Sequence, residues 1–438
     1  MPQLPLRPSL EHLRKQAKAR RRERGLGLSR AQHELAREYG FESWPKLVHY
    51  VQATSLKGVE RALVLADAAA LMSHLRADAM SSTTPVAGLV PLLTLLRRST
   101  GAPADVRRCV ELLLDAGADP DSHTVEDGGQ FRLSALFAAV ERGDLALVRL
   151  LLEGGATSDE DAFYHACEQS DTAYLDLLHQ PGFERLVNHK LDFEDTAGLR
   201  WFLDRDVDVN AHGCLHWAIG RGRGVPILRM LLDAGADVNL PHPDVGHRPL
   251  AVAARCGHLD AYDLLAGRGA TAELDALDAA VLTVARGESA QLPTAPPPMP
   301  GIPGDDSGWL LGQFALLGRT EVVRALLDAG VGVDTRGWSN FTPLDQAAMH
   351  GRTETVQLLI DRGADLHDCA FDEDGPTPLD CGLWGLRNNR ADDGDYPGTV
   401  EALLAAGAPT RHSPPTGDEV VDALLTAHTA TIDVEPSR

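Results

Sequence analysis

Two parts of this chain carry residue types that bind metal ions. His212, Cys214 and His216 stand in the run HGCLH, and Cys256 and His258 follow farther along. Imidazole and thiolate ligands in that mixture suit tetrahedral zinc. The strings DED at Asp372–Asp374 and ADDGD at Ala391–Asp395 offer carboxylates for calcium, but their spacing lacks the ordered ligand loop of an EF-hand. Four polar residues, His350, Arg387, Asp393 and Tyr396, are the nearest candidates for a small-ligand or enzymatic site. No GxSxG, no HExxH and no phosphate-binding glycine loop occurs, so no residue is assigned a catalytic role.

The elements that must position these groups repeat. VELLLDAGADPD (Val110–Asp121), LRMLLDAGADVN (Leu228–Asn239), VRALLDAGVGVD (Val323–Asp334) and VQLLIDRGADLH (Val356–His367) say nearly the same thing. Leucine or valine at i, i+3 and i+4 gives the buried stripe of a short helix, and the following Gly takes the left-handed position that ends it. The Asp and Asn beyond suit a turn. A second signature precedes several copies: CLHWAIGRGR (Cys214–Arg223), RPLAVAARCGH (Arg248–His258), TPLDQAAMHGR (Thr342–Arg352) and TPLDCGLWG (Thr377–Gly385). Such an array grows by neighbour contacts without one central core, which places function on a surface.

Together the two halves resemble the ankyrin repeat, a turn plus two antiparallel helices of about 33 residues. The resemblance implies an all-α ankyrin-repeat solenoid. It also implies that His216 and His258, at the TPLH and GH positions, make backbone hydrogen bonds within and between repeats, so no metal or cofactor is expected. Asp345 and Asp380 occupy the same slot as the TPLH histidine and are not read as a carboxylate pair. The N-terminal patterns HLRKQAK and LAREYGFESWPKL resemble a helical element found ahead of ankyrin arrays in many bacterial proteins.

Composition narrows the classes. Apolar residues make up 44% and no long apolar run occurs, which argues against both disorder and a membrane span. The start of the chain lacks the apolar stretch of a secretory signal. Six scattered cysteines without CxxC spacing read as reduced, packed thiols. Arginine in large excess over lysine is the usage of a GC-rich bacterial genome, so a bacterial cytoplasmic location is expected. The net charge is −22, yet residues 1–50 hold 11 Lys/Arg against 5 Asp/Glu, a balance of +6 that leaves −28 for the remainder. A polyanion would be repelled by most of the molecule, which argues against nucleic acid or an anionic membrane and for a protein partner. A weaker reading gives nucleic-acid binding to Arg20, Arg21, Arg22 and Arg24.

The expected organisation is a basic helical cap over 1–54, an array of about ten units over 55–410, and a capping helix with a tail over 411–438. Terminal repeats need such caps because one apolar face would otherwise be bare. Two insertions interrupt the array. Residues 291–306 carry six prolines within eleven residues and replace a second helix; they read as a tolerated excursion or as a flap. The other insertion is 387–398.

In ankyrin proteins contacts come from the turns and from the two residues between Ala-Ala and Gly-His. Here those positions pass from Glu141, Arg142, Gly220, Arg221, His247, Arg255 and Cys256 to Leu316, Leu317, Trp338, Phe341, Met349, His350 and Trp384. Apolar residues on successive units would form one contiguous patch, and such patches mark interaction sites. The same tryptophans could instead pack against the insertions. The resemblance therefore implies a protein-interaction module, an adaptor or regulator, that binds a partner segment in the concave groove. Leu316, Leu317, Trp338, Phe341, Met349, His350 and Trp384 would anchor the segment, with Arg221 and Arg255 as the polar rim. The alternative is an enzyme or small-ligand site built from His350, Arg387, Asp393 and Tyr396 beside the insertions.

Overall fold

The computed structural model describes all residues except 1–3, 5–8, 25–27, 42–43, 87, 127–130, 243–245, 293–305, 337–339, 371–374, 389–393, 410–415, 417 and 433–438. The chain divides into two compact units, one of residues 1–186 with 429–438 and one of residues 187–428. Each is a stack of short helix pairs.

The first unit begins with helices Leu10–Arg24, Leu28–Glu38 and Trp44–Ser55. They close on their own small core of Leu13, Ala17, Leu35, Ala36, Leu47 and Val51. Arg20 pairs with Glu38, and Arg24 Nη1 lies 3.1 Å from Glu34 Oε2, so part of the basic character of this segment is answered by its own acids. Four pairs follow: Gly58–Val64 with Ala68–Ala77, Pro91–Arg98 with Pro103–Asp115, Ala135–Glu141 with Leu145–Glu153, and Glu160–Ala166 with Ala173–Leu178. Between the second and third pairs the chain makes an unexpected antiparallel hairpin of His123–Glu126 and Phe131–Ser134, with His123 opposite Ser134. Its strands carry β-branched and aromatic residues, the composition that suits a pleated ribbon.

The second unit opens with a first helix cut to Val187–Lys190, paired with Thr196–Leu203. Complete pairs then follow at Cys214–Gly220 with Val225–Asp233 and at Pro249–Arg255 with Leu259–Gly267. Helix Ala276–Ala285 has no second helix among the described residues, since the Pro-rich stretch comes next. Three further pairs, Asp306–Leu316 with Thr320–Asp328, Pro343–Met349 with Thr353–Asp361 and Pro378–Asn388 with Tyr396–Ala405, precede the terminal helix Glu419–Ile432. One apolar core runs through this part, from Leu277 and Val281 through Phe314, Leu359 and Leu403 to Leu425.

Local chemistry sets the ends of these helices. Gly235 and Gly363 follow second helices at φ +96° and +86°, conformations that side chains disfavour. Beyond them, polar side chains tie each turn to the next. Asn210 Nδ2 donates to the Gly235 carbonyl at 2.9 Å while its Oδ1 accepts from the Asp237 N–H at 2.8 Å. Asn239 Oδ1 accepts from the Thr271 N–H at 2.8 Å, and Asp334 Oδ1 from the Asp365 N–H at 3.1 Å. At first-helix starts, Thr342 and Asp345 form a capping box, and Thr377 with Asp380 repeats the same bonds.

Small residues let neighbouring first helices approach. A Cβ on Gly385 would lie 1.9 Å from the Met349 carbonyl oxygen, whereas one on Gly382 would meet nothing nearer than 3.5 Å. Gly385→Ala should therefore lower the thermal midpoint. Gly382→Ala should leave it unchanged or raise it, because Ala favours a helix by about 1 kcal/mol over Gly. Equal effects in a thermal melt would contradict this packing. A second expectation concerns pH. Burial pushes the Asp345 carboxyl up to about 6, above its ordinary value. Its contribution is then full below the ordinary carboxylate range and lost as pH rises through about 6. Relative to Asp345→Asn, the wild type should gain about 1 kcal/mol as pH falls from about 7 to about 5. Chemical denaturation at both pH values checks it, and a constant or shrinking gap would overturn it.

Candidate interaction surface

The histidines and thiols that suggested zinc are committed elsewhere. His216 Nε2 lies 3.1 Å from the His247 carbonyl, toward the following unit, and His258 Nε2 lies 3.1 Å from the Arg223 carbonyl of the preceding one. Burial lowers His216 to about 4 and also lowers His258, so both rings are neutral near pH 7. Burial raises the Cys214 and Cys256 thiols to about 12, which keeps them protonated and poor nucleophiles. Among the described residues no group of three or more His, Cys, Asp or Glu is arranged to hold a metal ion.

The residues expected to line the groove separate into three groups. Leu316 and Leu317, expected to be exposed, are only 6% and 5% accessible and pack with Cys256 and Val252 in a small cluster of their own. The physical reason lies in the half unit before them. Helix Asp306–Leu316 ends against the Pro249–Arg255 pair and not in open groove, and Gln313 Nε2 donates to the Gly220 carbonyl 93 residues earlier. Arg255, expected at a polar rim, is also buried. Its Nε meets Asp278 and its Nη2 lies 2.5 Å from Asp275 Oδ2. A buried guanidinium needs such partners to offset desolvation, and Asp278 is almost fully buried beside it.

His350 and Tyr396 are inward too. His350 is lowered to about 3 by burial, and its Nδ1 lies 3.0 Å from the Gln346 carbonyl. Tyr396 is fully buried and its hydroxyl donates to the Met349 carbonyl at 3.3 Å. Both therefore pack within the repeats, whereas Arg387 is exposed. Trp338 and Asp393 lie outside the described residues, as do Asp372–Asp374 and most of the 291–306 stretch. A cavity of ≈ 360 Å³ opens elsewhere, lined by Asp260, Arg319, Thr320, Glu321 and Glu354 among others. Its three acids sit in the first turns of their helices, where the helix dipole favours them.

What stays at the surface is a short list. Trp384 is 49% exposed on helix Pro378–Asn388, Phe341 and Met349 are half-buried, and Arg221 is partly exposed. Sequence reasoning missed Trp217, which is 39% exposed on helix Cys214–Gly220. The available signal was an aromatic ring in the variable slot between His216 and the small Ala218. Its indole N–H donates to Asp192 Oδ1 at 2.9 Å, the Arg221 Nε lies 2.7 Å from the same oxygen, and the Arg221 guanidinium sits 5.0 Å from the Trp217 ring centre.

A family model described as ankyrin repeat matches residues 210–243, and one described as ankyrin repeats in three copies matches residues 305–382. A stretch of 149 residues is 31% identical to a protein named dynein axonemal heavy chain 12 from Bos taurus, over 32% of this chain and 38% of that one. The chain thus spans well under half the length of that relative. The crystal structure of the human ASB11 ankyrin repeat domain is matched over 63% of this chain and 99% of its own, at 21% identity and a TM-score of 0.22. Ankyrin repeats are thus present at residues 210–243 and 305–382, on both sides of the interrupted unit, and the histidines that bond from repeat to repeat belong to the same all-α helix-pair architecture.

Proposed function

We propose that this protein is a cytosolic adaptor or regulator that binds a segment of a partner protein along the first helices and turns of residues 187–428. Ankyrin repeats serve protein–protein interaction in general. The observation that carries the reading is the placement of exposed aromatics. The first helix of each pair buries its apolar residues in the stack, yet Trp217 and Trp384 remain 39% and 49% accessible. A large apolar ring left in water on a repeat scaffold is stabilised when a partner covers it, and tryptophans are the commonest energetic anchors of interfaces.

Trp384, Trp217, Met349, Phe341 and Arg221 are the contact residues in this reading. Leu316, Leu317, Arg255 and His350 support the surface from beneath. Among the described residues no helix is long and apolar enough to cross a membrane.

Trp384→Ala should remove retention of the partner in an affinity capture from native extract. Because the side chain is half exposed, the thermal midpoint should move by no more than about 2 °C. A captured protein that is retained equally by the variant would refute the assignment of Trp384. A large drop in the midpoint would show that the ring packs against the protein's own chain.

A further inference from the structure

The turn at residues 220–223 is held more firmly than its position on the surface requires. Gln313 Nε2 donates to the Gly220 carbonyl. The Arg221 carbonyl accepts from Arg223 Nε at 3.2 Å and Nη2 at 2.7 Å, and Arg223 is itself only 6% accessible beside Glu194. Gly222 lies at φ +69°, and Leu317 leaves no room for a side chain there, since a Cβ would come within 2.2 Å of its Cδ2. Leu317, which left the expected groove, thus forms the backing of this turn.

Side chains above the turn are fixed as well. The Asp192 carboxylate takes Trp217 Nε1 and Arg221 Nε on Oδ1 and faces His189 Nδ1 at 3.1 Å through Oδ2. Three partners hold one carboxylate, so the Trp217–Arg221 pair is set before any ligand arrives. The ion pair with Asp192 uses the Nε side of the Arg221 fork, and the side chain remains 32% exposed. The two Nη groups present the flat, two-donor geometry that matches a second carboxylate. Arg223 and Arg352 add positive potential nearby: together with Arg221 they help burial hold His350 neutral.

We propose that Trp217 and Arg221, locked by Asp192, form a preorganised docking platform for a carboxylate-bearing peptide segment, with an apolar side chain against the indole and an Asp, Glu or C-terminal carboxylate on the guanidinium. The proposal rests on the interaction reading above and names its partner's chemistry. A single carboxylate fits because three arginines, Arg221, Arg223 and Arg352, stand here against two acids, Asp192 and Glu194, while the chain as a whole is −22. A nucleic acid, by contrast, brings a run of negative charges against that net charge. Little ordering remains to oppose binding, because both side chains and their turn are already fixed.

The test is selection of a phage-displayed library of random short peptides on the full chain. Selected peptides are then titrated against wild type, Arg221→Gln and Arg221→Lys. Acidic residues beside apolar ones should be enriched, and Arg221→Gln should weaken those peptides by about tenfold or more. Arg221→Lys should recover only part of the loss, since it restores charge without the planar fork. Unchanged thermal melts of both variants show that the fold is intact. Binders without acidic enrichment that ignore Arg221→Gln overturn the platform while leaving the interaction reading standing. A library that yields no binder overturns both. Tighter binding of a single-stranded oligonucleotide than of the acidic peptides also overturns the choice of partner.

Discussion

The structure depends on close contact between neighbouring repeats at positions where a side chain would not fit. Met349 and Gly385 meet with room for a hydrogen only, and the same economy lets Gly222 lie against Leu317. Once first helices stand that close, polar side chains find partners in the next repeat or the previous one. His216, His258, Asn210, Asn239 and Arg352 do so by reaching to backbone groups of a neighbouring repeat. Each such bond contributes about 1 kcal/mol, and at the buried His216 and His258 leaving it unmade costs more. Stability is therefore shared along the stack, with each repeat supported by its neighbours.

Much of this was legible in the sequence. The Leu-Leu-Leu stripes, the glycines that end them and the TPLH-type starts predict the helix pairs, and these are found. His216 and His258 were placed by the repeat pattern and bond as that pattern implies. What escaped were consequences of irregularity. A regular stack would leave Leu316 and Leu317 in open groove. The half unit at Ala276–Ala285 instead sets the next helix against Val252 and Cys256. Arg255 was read as a rim because its counter-charges, Asp275 and Asp278, come from that same divergent unit and form its cap as well as its ion pair. The hairpin at 123–134 lies in a stretch where the repeat pattern makes no prediction.

The interrupted repeat has a functional side. Burying Leu316 and Leu317 removes two expected anchors from the surface, but Leu317, with Gln313, also braces the turn that carries Arg221. A mobile arginine and a mobile tryptophan would each lose rotamer freedom on binding, a cost of about 1 kcal/mol per side chain. Packing behind the turn and the Asp192 carboxylate above it have already met that cost during folding. The surface that results is small and mixed, with an aromatic ring beside a guanidinium. That is the composition found where a few residues dominate binding.

The most direct test places a photoreactive benzoylphenylalanine at position 217, at position 384 and, as a control, at Val420, which is 56% exposed but lies on the terminal helix. After illumination in native extract, positions 217 and 384 should crosslink to the same partner while position 420 does not. Crosslinking at 420 alone, or equally at all three, would contradict an interaction surface on the first helices of the second unit.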